Sequence, residues 1–198
     1  MSDLYPSVVR EEDAPSKRAL LEASLHLFVR DGLCETTIRG VAEKAGFTNP
    51  AIFKFFKSRD ALALCVFERC YERLAIVVER AAETPDFEAR THAIVLAATK
   101  FMDAELEAFL FVNEQLRRFR PQVAPHIRRR SIARMLGGLV ELGKNQGVIP
   151  AERDSALLVA AMIGTLTQFA RFLYFGEIKG PAVRRAPELT QLLLRLFR

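Results

Sequence analysis

The chain has 198 residues, half of them hydrophobic, with 29 lysines and arginines against 24 acids and a formal charge of +5. That length can bury a sizeable core, as one domain or as a small domain joined to a larger one, and the basic balance admits an anionic partner without identifying it. Three cysteines, Cys34, Cys65 and Cys70, lie outside any CxxC spacing, which argues against a disulfide framework or a zinc site.

The opening stretch "MSDLYPSVVREEDAPS" is polar and has no apolar run of signal-peptide type, so residues 1–15 read as a flexible N-terminal arm. From there on, apolar positions recur at helical spacing almost throughout, which predicts an all-α chain. The first helix is expected to begin near Ser16 as N-cap, to carry Leu20, Ala23, Ser24, Leu27 and Phe28 on one stripe, and to stop at Asp31-Gly32. "TTIRGVAEKAG" supplies a short second helix: Thr37 is its cap, Ile38, Val41, Ala42 and Ala45 share a face, and Gly46 suits the left-handed residue that ends it. Gly40 inside this helix costs about 1 kcal/mol relative to alanine.

Only Phe47 and Thr48 then precede a third helix, with Thr48 as N-cap and Pro50 in the first turn, where a missing N–H costs nothing. Two short helices joined so tightly must cross steeply, which is the helix-turn-helix arrangement. Ser58 caps a long helix to about residue 83, with Leu62, Val66, Cys70, Leu74 and Val77 or Val78 on one ridge. The remainder reads as helices at about 86 to 104, 106 to 119, 124 to 145, 153 to 176 and 186 to 197, punctuated by prolines and glycines. The most apolar run, "SALLVAAMIGTLTQFARFLYF", contains Thr165, Thr167, Gln168 and Arg171 and is read as falling short of a membrane span. A cytoplasmic chain with no membrane partner is expected.

In the third helix, helical spacing turns Ile52, Phe55 and Phe56 inward and leaves Asn49, Pro50, Phe53, Lys54 and Lys57 outward. Between Thr36 and Arg59 the charges are Arg39, Lys44, Lys54, Lys57 and Arg59 against Glu43 alone. Lys54 and Lys57 are suited to phosphates; the hydroxyls of Thr36, Thr37 and Thr48, with backbone amides such as that of Arg59, are suited to fixing register. Asn49 and Lys54 are the side chains best suited to base edges, and Phe53 or Ala51 to a thymine methyl. A lysine-faced amphipathic helix is also, commonly, just a solvated face.

From Gly32 to Leu62, "GLCETTIRGVAEKAGFTNPAIFKFFKSRDAL" resembles the DNA-binding domain of the TetR family of transcriptional regulators, whose pattern runs roughly "GxxxTTVRDIAxxAGVSxGTLYxYFxSKExL". The match is ungapped and covers Thr36, Thr37, Ile38, Arg39, Ala42, Ala45, Gly46, Phe56, Ser58 and Leu62. Phe53 stands where the family usually has a tyrosine whose hydroxyl holds a phosphate, Arg59 replaces a lysine, and Gly40 an aspartate. The resemblance implies a three-helix DNA-binding domain at residues 16–60 followed by a helical ligand-binding and dimerisation domain at 61–198. It also implies a homodimer that binds operator DNA, most commonly as a repressor, and is released by a small-molecule effector.

The later sequence fits that division. Ala160, Ala161 and Gly164 permit close helix approach, and with "PELTQLLLRLF" they suit an interface with a second subunit or ordinary internal packing. Phe101, Met102, Phe109, Val112, Met135, Leu139, Met162, Thr165 and Phe169 suit a largely apolar effector cavity, with His92, Asn113 and Gln168 as weaker polar candidates. Arg117, Arg118, Arg120, Arg128, Arg129, Arg130 and Arg134 form a dense run, read as a solvated face paired with acids such as Glu105 and Glu107, or as an anion site. No phosphate loop, metal spacing or nucleophile with a base partner suggests an enzyme, and no cofactor is expected. The alternatives are a helical small-molecule or lipid carrier without DNA-binding activity, and an anionic-membrane module using "AIFKFFK".

Overall fold

The computed structural model describes residues 7–48 and 52–198. Among the described residues all regular structure is helical. The elements are α1 (Pro15–Arg30), α2 (Ile38–Ala45), α3 (Arg59–Ala81), α4 (Phe87–Phe119), α5 (Pro125–Arg129), α6 (Ile132–Asn145), α7 (Ser155–Tyr174) and α8 (Ala186–Phe197), with a 3-10 turn at Ala182–Arg185 before α8. Residues 52 and 53 are also helical, in the segment between α2 and α3. By compactness the chain divides into Met1–Arg73 with Glu107–Arg128, and Leu74–Leu106 with Arg129–Arg198. Helices α3 and α4 pass from one unit into the other without a loop.

In the first unit α1 buries the expected stripe of Leu20, Ala23, Ser24, Leu27 and Phe28, together with Leu21 and Leu25. Phe28 stacks on Phe111 of α4 at 5.6 Å between ring centroids, and Phe67 of α3 packs on Phe119 at 5.6 Å. Polar pairs flank these rings: His26 Nδ1 lies 2.7 Å from Glu107 Oε1, and Arg118 Nη2 lies 3.0 Å from Asp60 Oδ2. Helix α1 does not start at a Ser16 cap. Its N-cap is Ala14, which makes no side-chain cap bond, and the first turn is set by Pro15, whose fixed φ is already helical and whose missing N–H is not needed there.

The expected flexible arm is corrected for residues 7–13. Ser7, Val8, Val9 and Asp13 are buried, and the buried Arg69 guanidinium of α3 holds two of them: it donates to Val8 O at 3.0 Å and grips both oxygens of Asp13. Asp13 also accepts from the Arg10 amide at 2.9 Å and pairs with Lys17 at 2.8 Å. Burial alone would raise the Asp13 pKa, but these hydrogen bonds, from Arg69 and Lys17 above all, hold its carboxyl far below the usual carboxylate range.

In the second unit Phe87 packs on Phe197 at 5.7 Å, and Gln146 closes the start of α4, accepting from Phe87 N at 2.9 Å and donating to Pro85 O at 3.1 Å. The two helices expected at 86 to 104 and 106 to 119 are the two arms of α4, which meet at a kink at Glu105, whose φ of −149° and ψ of 55° leave the helical region. The single helix expected at 124 to 145 is two. Ser131, extended at φ −88° and ψ 110°, breaks it and caps α6 by accepting from the Arg134 amide. Asp154 caps α7 through the Ala156 and Leu157 amides at 2.7 and 3.2 Å. Asp103 ties down the 3-10 turn by accepting from the Ala182 and Val183 amides. Helix α7 meets the length and apolarity of a membrane span, contrary to the reading from its polar residues. It is packed along one side against α6 and α8.

Two predictions follow from this packing. Removing Arg69 leaves a buried carboxylate short of its main partner, so Arg69→Met is expected to cost about 3 kcal/mol at neutral pH, read by urea unfolding. The folded state holds fewer protons on Asp13 than the unfolded chain, so its contribution is present above its ordinary value near 3.8 and is lost as pH falls below it. The variant's stability is therefore expected to fall less steeply in acid than that of the parent. At Gly143 an added Cβ would lie 2.7 Å from Ile149 Cδ1 and 2.8 Å from Phe87 Cδ2, so Gly143→Ala is expected to lower stability by about 1–3 kcal/mol in the same assay.

Candidate nucleic-acid interface

The turn before the opening helix of the interface is built as its residues dictate. Thr37 is extended, with φ −103° and ψ 154°, and its Oγ1 accepts from the Gly40 amide at 3.0 Å, satisfying one of the free donors at the start of α2. Gly46 ends α2 at φ +76°, a conformation that favours glycine, while the Phe47 amide reaches back to Ala42 O at 2.8 Å. The following helical segment closes with the Phe55 and Phe56 amides both donating to Ile52 O at 2.9 Å. Ser58 then caps α3, accepting from the Ala61 amide at 3.1 Å.

Ile52 and Phe56 are buried as expected and anchor this segment. Phe55 is not fully inward: it is 38 % exposed, because with Ile52 and Phe56 on the buried face a 100° turn per residue places Phe55 on one flank of that face and Phe53 on the other. Phe53 is 56 % exposed. Lys54 and Lys57 are exposed and, among the described residues, have no ion-pair partner. Thr37 and Thr48 are exposed beside them. Asn49, Pro50 and Ala51 lie outside the described residues.

Three other candidates are engaged within the protein. Thr36 is buried, with its hydroxyl 2.8 Å from Gly32 O and 3.2 Å from Leu27 O, so it holds the end of α1 rather than facing outward. Arg59 turns its guanidinium to Cys34 O at 3.0 Å and Thr36 O at 3.4 Å, which leaves its backbone amide, at the start of α3, as the group suited to a phosphate. Arg39 is exposed but bonds Glu43 at 2.9 Å, and that hydrogen bond raises its already high pKa. Among the described residues, the cations of this stretch with no ion-pair partner are therefore Lys44, Lys54 and Lys57, the last two on the segment after the turn.

The arginine run is largely exposed, and two of its members pair with acids from α3. Glu107 is taken by His26, while Arg118 pairs with Asp60, Arg130 pairs with Glu79 at 3.2 Å, and Arg120 donates to Arg128 O at 2.7 Å and lies 5.5 Å above the Tyr71 ring. Arg117, Arg128, Arg129 and Arg134 are exposed.

Of the effector candidates, Phe101, Met102, Leu139, Met162 and Phe169 are buried and Met135 and Thr165 half-buried in the second unit, whereas Phe109 and Val112 belong to the first. Asn113 bonds its own helix at Phe109 O, 2.8 Å away, and Gln168 is exposed. His92 Nδ1 lies 3.2 Å from Thr190 Oγ1, whose proton goes to Ala186 O, so the histidine is the donor. Cys34, Cys65 and Cys70 are free thiols, and burial pushes the Cys65 thiol up, away from the reactive thiolate. Among the described residues no cluster of potential metal ligands occurs.

Comparison with known proteins agrees with this geometry. The family model of bacterial regulatory proteins of the tetR family matches residues 20–66, from the core stripe of α1 into α3. YdgC, an HTH-type transcriptional regulator of Bacillus subtilis (strain 168), is 21% identical over 194 residues, covering 94% of each chain. Among solved structures, the ketosteroid transcriptional regulator KstR2 of Mycobacterium tuberculosis superposes with a TM-score of 0.80 at 17% identity, covering 95% of this chain and 97% of that one. The transcriptional regulator FadR of Bacillus subtilis, in complex with stearoyl-CoA, does so with a TM-score of 0.69 at 14% identity, covering 90% and 97%. At these identities the structural likeness is one of fold.

The placement of Thr36 gives a direct test. Thr36→Val removes a buried hydroxyl whose single proton is shared between Gly32 O and Leu27 O, carbonyls that each keep a backbone donor, so it is expected to lower the unfolding free energy by about 1 kcal/mol in a urea titration. An unchanged midpoint would place the hydroxyl outside the fold's hydrogen bonding.

Proposed function

The chain is a TetR-family transcriptional regulator, and from that premise we propose that it is a ligand-responsive repressor that binds operator DNA as a homodimer and leaves it when a small effector binds. In this reading residues 16–60 meet DNA, residues 61–198 carry dimerisation and effector binding, and the protein works in the cytoplasm, where its DNA is. The observation that carries the DNA reading is the segment from Ile52 to Lys57. It is held from beneath by Ile52 and Phe56, and it presents Phe53, Lys54 and Lys57 to solvent directly after a capped, glycine-ended turn. A short helical segment with exposed cations at its end, seated on buried side chains, is what a major groove accepts. Each subunit of a dimer would occupy one half-site, with half-sites roughly 34 to 36 Å apart if they are one helical turn apart.

The dimer reading is supported by exposed apolar side chains where monomers usually place polar ones. Leu157 of α7, Leu192 and Leu196 of α8, and Phe175 just past α7 are all exposed, and Ala160 and Gly164 lie exposed on α7. Leucines four apart on α8 and small residues four apart on α7 are the spacing of a helix–helix seam. The same exposed apolar face accounts for the membrane-like composition of α7 without a bilayer, since the other side of the helix is packed on protein.

For the effector, Phe101, Met102, Leu139, Met162 and Phe169 are the apolar groups that would line its site in the second unit, with Thr165 as a polar contact. A largely apolar molecule fits that chemistry. FadR, which shares the fold, holds stearoyl-CoA, and KstR2, which also shares it, is a ketosteroid regulator. Such an effector weakens DNA binding only to the extent that it prefers the conformation unsuited to the operator. Helix α3, which opens at Arg59 beside the DNA-facing segment and continues to Ala81, is the element proposed to carry that preference.

Selection of bound duplexes from fragmented genomic DNA with the purified protein tests the reading, and recovery of no sequence above background would refute it. On the selected operator, Lys54→Ala and Lys57→Ala are each expected to weaken binding. Each is also expected to lower the slope of log affinity against log salt by about 1.8, one phosphate contact per subunit at roughly 0.9 each. Unchanged affinity at moderate salt would remove these lysines from the interface.

A further inference from the structure

We propose that Phe53 and Phe55 read the 5-methyl groups of thymines in the major groove, so that affinity at these positions depends on methyl contacts rather than on an aromatic hydroxyl bound to phosphate. This rests on the DNA-binding reading above and says which feature of the operator the segment recognises. Within five consecutive residues the structure divides the apolar side chains: Ile52 and Phe56 are buried, and the rings of Phe53 and Phe55 face solvent. At 100° per residue the two rings fall on either flank of the Ile52–Phe56 face, so the segment carries an apolar ring on each side, Phe53 the more exposed of the two.

The chemistry of the two rings narrows what they can meet. A phenylalanine has neither donor nor acceptor, so neither ring can hydrogen-bond a phosphate or a base edge. The flanking Lys54 and Lys57 are exposed and without ion-pair partners among the described residues, which suits them to phosphates, contacts that position a protein but carry no sequence information. Apolar contact is what remains for the rings, and in the major groove the apolar group on a base edge is the thymine methyl. An anionic lipid surface would also meet lysines and rings. However, the described segment from Ile52 to Phe56 is a short, turn-ended piece held by two buried side chains, rather than an extended amphipathic face able to lie along a bilayer.

The test uses the full-length protein and the duplex it selects from genomic DNA, prepared once with thymine and once with deoxyuridine throughout the protected half-sites. The parent protein is expected to bind the deoxyuridine duplex more weakly, by about fourfold for each methyl contacted. The double variant Phe53→Ala, Phe55→Ala is expected to bind the two duplexes equally while keeping the parent's salt slope. Phe53 is mostly exposed and Phe55 partly so, so the variant is expected to keep the parent's helical circular dichroism with at most a modest drop in melting temperature, which separates loss of readout from loss of fold. Equal binding of the two duplexes by the parent overturns the methyl readout alone, as does a double variant that keeps the full deoxyuridine penalty. A protein that selects no duplex overturns the DNA-binding reading and this inference with it.

Discussion

A guanidinium that is 8 % exposed must find both a counter-charge and enough acceptors within the fold, and Arg69 imposes that demand on the first unit. Asp13 supplies the charge and Val8 a carbonyl, so the chain ahead of α1 is drawn onto α3 instead of trailing into solvent. Asp13 in turn accepts from the Arg10 amide and from Lys17 in the first turn of α1. One buried cation thus fixes where α1 begins and ties it to α3, while Phe28 on Phe111 and His26 on Glu107 join α1 to the later part of α4. Lost as a unit, these contacts would free the helix-turn-helix from its support, because each neighbour depends on the geometry the previous one sets.

Pairing inside the fold also selects which charges remain for a partner. The segment around the interface carries five cations, but Arg59 is turned onto the carbonyls of Cys34 and Thr36, and Arg39 is bonded to Glu43. Their charge persists, yet their hydrogen-bonding capacity is partly taken and their geometry constrained. Lys44, Lys54 and Lys57 keep ammonium groups on exposed stems, the form of cation that follows a phosphate backbone at little cost in strain. The result is a rigid scaffold bearing a small, adaptable cationic and aromatic edge.

The second unit is organised around helix termini rather than around buried charge. Gln146 closes the start of α4, Asp103 the 3-10 turn and Asp154 the start of α7, each accepting backbone donors that would otherwise be orphaned. With its polar groups satisfied locally, the unit can leave large apolar side chains such as Leu157 and Leu192 outside without losing its own fold. Helices α3 and α4 belong to both units, and α4 changes direction at Glu105, one residue before that boundary region.

Much of the helix pattern was legible locally. Thr37, Gly46 and Ser58 act through hydrogen bonds or dihedral preferences within a few residues of themselves, so their roles as caps and stop follow from the sequence alone. The stripe on α1 and the ridge of Leu62, Val66, Cys70 and Leu74 on α3 follow from periodicity for the same reason. The tertiary structure decided what depends on partners far along the chain. Asp13 is separated from Arg69 by 56 residues, so an acidic N-terminal stretch looked like a loose arm until the cation it serves was in place. Thr36 carries the same lesson at short range: its hydroxyl was claimed by the end of α1. Sequence determined most helices and their caps, because those energies are local; tertiary structure decided which polar groups are already paired and which remain for a partner, because pairing is settled only by distant neighbours.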